Sequence, residues 1–281
     1  MSSEMWPLIS ASLFVGLTVA FGPIVEAQDD ADISGDSHFQ EELGINRFTT
    51  PSIEQLFDTL DSLKPIPVQE LTRPPQALRL DNRVKFALSF GVLIGDGFLA
   101  VEGEQIKAIE PLGRELLRRA KGLGVQQRVS RHSKQILDLA KRLDWSGLRK
   151  ELIVTQQDVE KAMLDLRDEE MVHLLSLGGW IRGLEIGAAS VAADFSPERA
   201  SQLRHLDLLD YYLQRLDTLS TPLKSTPLIS RIISGLKEVR QKLAGNPAIS
   251  QEDVSGIQMT ARSLVALIEG SPSTASAVGS N

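Results

Sequence analysis

The amino-acid sequence predicts an all-α protein, a bundle of about six to eight helices with two glycine-rich helices packed closely at its centre. The composition is the first observation: 42% of the 281 residues are hydrophobic but only 5% are aromatic, and alternating β-branched runs are short. Secondly, residues 86–101 (FALSFGVLIGDGFLAV) and 174–193 are apolar enough for helices buried in a core. Thirdly, capping patterns recur along the chain.

The amino-terminal residues 1–27 predict a secretory signal peptide. An apolar run over residues 6–25 ends next to Val25 and Ala27, the small residues that signal peptidase prefers at −3 and −1. The run is preceded by Glu4 and by no Lys or Arg, so an uncleaved membrane anchor is the alternative. Residues 28–49 are acidic and poor in large apolar groups, which predicts a flexible leader.

Residues 50–75 predict an accessory helix followed by a stiff connector. Ile53, Leu56, Phe57 and Leu60 share one side of a helix that begins near Pro51 and ends near residue 63. Four prolines between residues 64 and 75 exclude a continuous helix there.

The main domain is expected over residues 76–269, followed by a disordered tail at 270–281. Its second half has three cap signals: Thr155 with Asp158, Ser196-Pro197, and Ser250 with Asp253. The expected helices are 76–109, 112–120, 125–143, a short turn opened by Asp144 or Ser146, 156–193, 197–219, 228–243 and 251–268.

Glycine inside a helix costs about 1 kcal/mol relative to alanine, so several in one helix indicate a gain from close packing. At 100° per residue, Gly91, Gly95, Phe98 and Glu102 share one side of the first central helix. On the second, one side carries Ser176, Gly179, Gly183, Gly187 and Ser190. Small residues at this spacing favour two helices crossing at their glycines. A groove left open for a flat ligand or a lipid chain is the alternative.

Four charged residues on these two helices are the candidate ligand-binding residues: Asp96, Glu102, Arg182 and Glu185. Asp96 lies in a polar stripe with Lys85 that is expected to reach solvent, whereas Glu102 lies on the glycine side and would face the packed neighbour. Arg182 and Glu185 stand three residues apart and can pair. Because isolated buried charges are costly, we expect Arg182 to meet Glu185 and at least one carboxylate from Asp96 or Glu102. Such a cluster is either a structural ion pair or a polar functional pocket.

Other motifs in the sequence give weaker evidence of a chemical function. The absence of cysteine excludes disulfides and thiolate chemistry. Glu170 and His173 match one half of a di-metal helical motif, but no second Glu-x-x-His follows. Gly91-x-x-x-Gly95-x-Gly97 lacks the preceding strand of a phosphate-binding loop. We therefore predict no metal ion, no cofactor and no catalytic residue.

The charge pattern restricts the class of partner. A formal charge of −7 and a pI near 5.3 disfavour a nucleic-acid binder. Residues 114–142 are rich in Lys and Arg, which favours a solvated helical face, with contact to anionic lipid headgroups or envelope polymers as the alternative.

The sequence thus favours an exported, non-enzymatic protein of the periplasm or cell envelope that binds an unknown protein or small molecule. The first alternative is an enzyme or a metal- or ligand-binding bundle that uses Asp96, Glu102, Arg182 and Glu185 around a polar cavity. The second is a structural protein anchored in the membrane by an uncleaved amino-terminal helix. A closed helix crossing with mutually paired charges favours the non-enzymatic binding protein. An open cavity with unpaired carboxylates favours the enzyme.

Overall fold

The computed structural model describes residues 53–76, 82–244 and 248–270. Within them the chain is all-α and forms twelve helices. In chain order these are α1 (Ile53–Ser62), α2 (Val68–Leu71), α3 (Arg83–Glu102), α4 (Ile106–Leu123), α5 (Gln126–Lys141), α6 (Trp145–Asp165), α7 (Glu169–Ala193), α8 (Pro197–Ser201), α9 (Leu206–Asp217), α10 (Thr221–Lys224), α11 (Pro227–Leu243) and α12 (Gln251–Glu269). The expected signal peptide (1–27), acidic leader (28–49) and residues 271–281 of the expected tail lie outside the described residues.

The glycine-rich helices α3 and α7 pack against each other at the centre, as predicted. On one side α4, α5 and α6 follow in succession, and α6 returns to contact both central helices. On the other side α12 packs on α7, α11 packs on α12, and α9 lies against α11. One continuous cluster of buried apolar side chains runs through all these layers.

Several helix ends follow the local capping chemistry. Ser250 and Asp253 form a reciprocal capping box at the start of α12, as predicted, and the side chain of Ser196 accepts a hydrogen bond from the amide of Arg199. Asp144 caps α6, which is a long helix rather than the expected short turn. The αL residue Gly124 ends α4.

The expected single helix over residues 76–109 is wrong at both ends. Residue 76 is not helical and residues 77–81 are not described, so α3 begins only at Arg83, capped by Asn82. It ends at Glu102, and Glu104 takes a positive φ of 51° before α4 begins at Ile106. A Cβ at Gly103 would collide with Val68, so α2 crosses the chain at this break. The expected boundary at Pro111 is also wrong, because α4 continues through the proline and loses only one backbone hydrogen bond there.

Two further boundaries differ from the expectation. Thr155 is not a cap: α6 runs through it, and its hydroxyl donates to the carbonyl of Glu151 at 2.6 Å. The break falls at residues 166–168, where Arg167 has a φ of 56°. The expected helix 197–219 is divided into α8 and α9.

The amino-terminal part of the described chain covers one face of the bundle. Helix α1 packs on α7 and buries Phe57 and Leu60. Residues 63–76, here named the strap, then run across α3 and include the short helix α2. The strap covers the buried charged side chains of α3 and α7.

Candidate functional site

Arg182 is at the centre of the candidate site and is 1% exposed. Its Nε donates to Asp96 Oδ1 at 2.8 Å, its Nη1 to Glu185 Oε2 at 2.6 Å, and its Nη2 to the carbonyl of Leu71 at 2.7 Å. The expected contacts of Arg182 with Glu185 and with one carboxylate of α3 are therefore confirmed. The strap carbonyl of Leu71 is a third partner that the sequence does not indicate.

Asp96 is buried, 7% exposed, which corrects the expectation that its polar stripe reaches solvent. The strap covers it, and Arg73 reaches down with Nη2 2.9 Å and Nε 3.2 Å from the carboxylate. Burial alone would raise the pKa of Asp96, but Arg182 and Arg73 outweigh it, and the pKa lies below its usual value. Asp96 is thus an ionised carboxylate held between two guanidinium groups.

Glu102 does not face Arg182, and this part of the expected cluster is wrong. Its carboxylate lies 2.6 Å from Lys64 Nζ and 3.2 Å from Arg149 Nη1. Glu102 is six residues from Asp96, which places it about 9 Å further along the helix and about 120° around it. On the glycine side of α3, Gly91 and Gly95 lie against α7, whereas Phe98 stacks on Phe57 of α1, with ring centroids 4.1 Å apart.

The crossing of α3 and α7 is closed. A Cβ at Gly91 would overlap the carbonyl oxygen of Leu175 and lie 2.5 Å from the amide nitrogen of Gly179. A Cβ at Gly178 would overlap the carbonyl oxygen of Leu88. The backbones therefore occupy the space that the alternative interpretation assigned to a flat ligand or lipid chain.

A second buried arginine, Arg119 of α4, was missed from the sequence. It is 0% exposed and pairs with both carboxylate oxygens of Glu269, each at 3.0 Å. It also donates to Glu115 Oε1 at 3.0 Å and to the carbonyls of Ser89 and Gln76. The basic run over residues 114–142 predicts a solvated face, but Arg119 is in helical phase with the buried Leu112, Leu116 and Leu123. That phase is the signal that could have identified it.

The strap joins the two arginines into one network, the buried charge network of Arg73, Asp96, Arg119, Arg182, Glu185 and Glu269. The negative charge of Glu269 attracts the guanidinium of Arg73, and the negative charge of Asp96 repels the carboxylate of Glu269. Burial raises the pKa of Glu269 more than Arg119 lowers it. The strap contributes Arg73 and the carbonyls of Leu71 and Gln76, so the network is closed from above by the chain itself.

Glu170 and His173 do not act together. Glu170 accepts from the backbone amide of Ser220 at 2.7 Å, whereas Nδ1 of His173 lies 3.1 Å from the hydroxyl of Tyr211. Burial, with a smaller contribution from Arg215, lowers the pKa of His173 to about 4, so the ring is neutral at pH 7. In the described ranges no group of three or more His, Cys, Asp or Glu side chains could hold a metal ion.

The outer surface of the described chain offers an open depression of about 290 Å³. It lies where the amino-terminal ends of α3 and α7 meet α10, and it includes the Arg83–Asp168 ion pair. Its lining residues are Asn82, Arg83, Val84, Asp168, Met171 and Leu223. None of these residues belongs to the buried charge network.

By length and composition α3 could cross a membrane, with a mean hydropathy of 1.7 over its most apolar window. However, 94% of that window is buried inside the protein. This is the situation of a core helix, whose apolar surface is already covered.

A comparison with models of protein families and searches of curated proteins and of solved structures returned no match.

Proposed function

We propose that this chain is an exported, non-enzymatic helical protein of the periplasm or cell envelope that acts by binding a partner, a protein or a small molecule. The observation that carries the proposal is the pairing of Arg182 with Asp96, Glu185 and the strap carbonyl of Leu71. A catalytic or ligand-binding pocket needs polar groups that can turn towards a substrate. The polar groups around Arg182 instead form hydrogen bonds with one another.

The energetics of buried charges support a structural role. Removing one member of a buried ion pair leaves the other charged without a partner, which costs about 3–5 kcal/mol. Glu102, the remaining candidate residue, is likewise engaged by Lys64 and Arg149. The enzyme alternative would require these contacts to open, and the binding function is therefore assigned to the exterior of the bundle.

The exported location is supported by the sequence of residues 1–27. The alternative of a membrane-anchored structural protein rests on the same residues and differs only in whether the chain is cleaved after Ala27.

The experiment is intact-mass spectrometry with metal analysis on protein purified from its own host. The proposal expects a mature chain that begins at Gln28 and carries no stoichiometric metal. A chain that retains Met1 and sediments with membranes would favour the anchor, and a stoichiometric metal would favour the enzyme or metal-protein class.

A matched pair of variants makes the cleavage test specific. Ala27→Leu removes the small residue at −1 and should leave the chain uncut. Ala31→Leu makes the same substitution beyond the expected site and should be cleaved normally. Equal processing of both variants would contradict a signal peptide that ends at Ala27.

A further inference from the structure

The exposed lysines and arginines of α4 and α5 form a basic face on an otherwise acidic protein. Residues 106–142 contain ten Lys and Arg and three Asp and Glu. Their formal charge is therefore +7 in a chain whose total is −7, so the other residues together carry −14. Of these ten cations only Arg119 is fully buried.

Helical phase places the cations on the outward side of each helix. Lys107, Arg114 and Lys121 follow one another at a spacing of seven residues along α4, which keeps them within about 40° of one another. They are exposed, whereas the leucines on the opposite side of α4 are buried. The same spacing separates the exposed Lys134 and Lys141 on α5. These rows are the centre of the basic face.

The two helices lie side by side. Only Gly124 and Val125 separate α4 from α5, and the helices pack against each other. A connection this short makes them antiparallel neighbours. Helices of 18 and 16 residues give a surface about 25 Å long and about 20 Å wide. An extended surface of this size can contact many anionic groups at once.

Acidic neighbours neutralise only part of this charge. Glu110 pairs with Arg114, and Asp138 lies 3.7 Å from Lys141. At the edge next to α6, two further arginines pair with carboxylates of α6. Three exposed lysines of the basic face have no ion pair with any described residue: Lys107, Lys121 and Lys134.

Two exposed apolar side chains stand at one end of the basic face. Ile106 begins α4 and is 41% exposed, and Leu143 follows α5 and is 58% exposed. Because α4 and α5 are antiparallel, both lie at the same end of the hairpin, next to Lys107 and Arg142. Exposed apolar groups beside cations are typical of proteins that lie on the interface of an anionic bilayer.

We propose that the basic face of α4 and α5 is a docking surface for a bilayer that contains anionic phospholipid. The lysines and arginines contact the headgroups, and Ile106 and Leu143 enter the boundary below them. A soluble polyanion would use the cations but would gain nothing from the exposed apolar side chains, which favours the bilayer. Charges more than about 8–10 Å apart are largely screened at physiological ionic strength. The basic face is therefore attracted although the whole chain is acidic.

The first test is flotation of the chain, purified from its own host, with vesicles of phosphatidylcholine with and without phosphatidylglycerol. We expect binding that requires phosphatidylglycerol and weakens as salt is added. The neutral vesicles record any contribution of the apolar amino-terminal residues. Equal binding to both kinds of vesicle would overturn the proposal.

The charge of the face is tested by a triple variant, Lys107→Gln with Lys121→Gln and Lys134→Gln. Each cation near an anionic surface contributes about fivefold to the binding constant, so the variant should bind anionic vesicles at least about tenfold more weakly. The control removes the same charge from exposed positions on α11 and α12, by Arg231→Gln, Lys237→Gln and Arg262→Gln. An equal loss in the two triple variants would overturn a specific basic face.

The apolar contact is tested by Leu143→Asn, because asparagine accepts the φ of 55° at this position. It should weaken binding to anionic vesicles by about fivefold and leave binding to dextran sulfate, a soluble polyanion, unchanged. The control is Met259→Asn on α12, where the side chain is 66% exposed, and it should change neither. A wild-type chain that binds dextran sulfate but not the anionic vesicles would overturn the proposal and assign the face to a polymer.

Discussion

At the scale of single residues, the protein is defined by two arginines that are the largest fully buried side chains in the described chain, Arg119 and Arg182. A guanidinium has five N–H donors and no acceptor, so it can be buried only where acceptors surround it. Carboxylates neutralise its charge and backbone carbonyls take the remaining donors. Each arginine thereby connects segments that are distant in the sequence.

The first prediction concerns acid. The pKa of Asp96 lies below its usual value, so its pairing contributes stability above about pH 4, the pKa of an unfolded aspartate, and this contribution is lost as the pH falls through the folded pKa. The difference in unfolding free energy between the wild type and Asp96→Asn should be largest near pH 7 and should shrink towards pH 2. Urea denaturation across this range measures it.

The matched control is Glu110→Gln, which removes an exposed carboxylate paired with Arg114 on α4. It should change stability by less than about 0.5 kcal/mol at any pH. A difference for Asp96→Asn that is independent of pH would contradict an ionised Asp96.

Part of the candidate site could be predicted because its chemistry is local. Arg182 and Glu185 are adjacent on one helix face, which predicts that they pair. Because a buried arginine needs further acceptors, the sequence also predicts a contact of Arg182 with Asp96 or Glu102. The choice between the two carboxylates depends on which element covers each turn of α3, and periodicity contains no such information. For the same reason Arg73 and the carbonyl of Leu71 could not be assigned, since they enter only through the path of the strap.

At the scale of helices, the molecule is organised by the crossing of α3 and α7. Backbone contact at Gly91, Gly178 and Gly179 brings the helices close enough for Arg182 to reach Asp96. The cost of glycine in a helix is offset by this approach.

The second prediction compares two glycines. Gly91→Ala places a methyl group against the backbone of α7 and should lower the unfolding free energy by about 3 kcal/mol or more. Gly113→Ala on α4 meets no atom within 4 Å and should raise stability by about 0.5–1 kcal/mol through helix propensity. Thermal and urea unfolding of both variants measure the contrast, and similar effects at the two positions would contradict the close crossing.

The third prediction concerns the strap. Arg73→Met removes the hydrogen bonds to Asp96 and should lower stability by about 1–3 kcal/mol. Because Arg73 ties the strap to α3, amide exchange should accelerate in α2 and at the residue that follows it, in particular at Leu71 and Thr72, whose amides donate to the carbonyls of Pro67 and Val68.

Hydrogen exchange with mass spectrometry provides the readout, and Arg114→Met, at an exposed ion pair, is the control. Unchanged exchange of α2 in Arg73→Met would show that the strap is held by other contacts.

Three helix ends with capping side chains were predictable, whereas the cap at Asn82 and the interior breaks were not. The caps at Asp144, Ser196 and Ser250 use local hydrogen bonds that the sequence displays. The breaks at residues 103–105 and 166–168 contain the positive-φ residues Glu104 and Arg167, which are neither glycine nor asparagine. Packing imposes these conformations, so local propensity could not reveal them.

At the scale of the whole molecule, the buried charge network connects the amino-terminal strap, the two central helices and the carboxyl-terminal helix. Arg73 lies on the strap, Asp96 on α3, Arg182 on α7 and Glu269 at the end of α12. The network therefore specifies how distant parts of the chain assemble, while the apolar core supplies most of the burial.

The most direct test of a structural role for these charges is a double-mutant cycle on the unfolding free energy, with Asp96→Asn, Arg182→Met and both together. We predict that each single substitution costs about 3–5 kcal/mol and that the double variant costs less than their sum by about 1–3 kcal/mol. Single variants that are as stable as the wild type or more stable, with additive effects, would contradict the account and indicate residues retained for binding at the expense of stability.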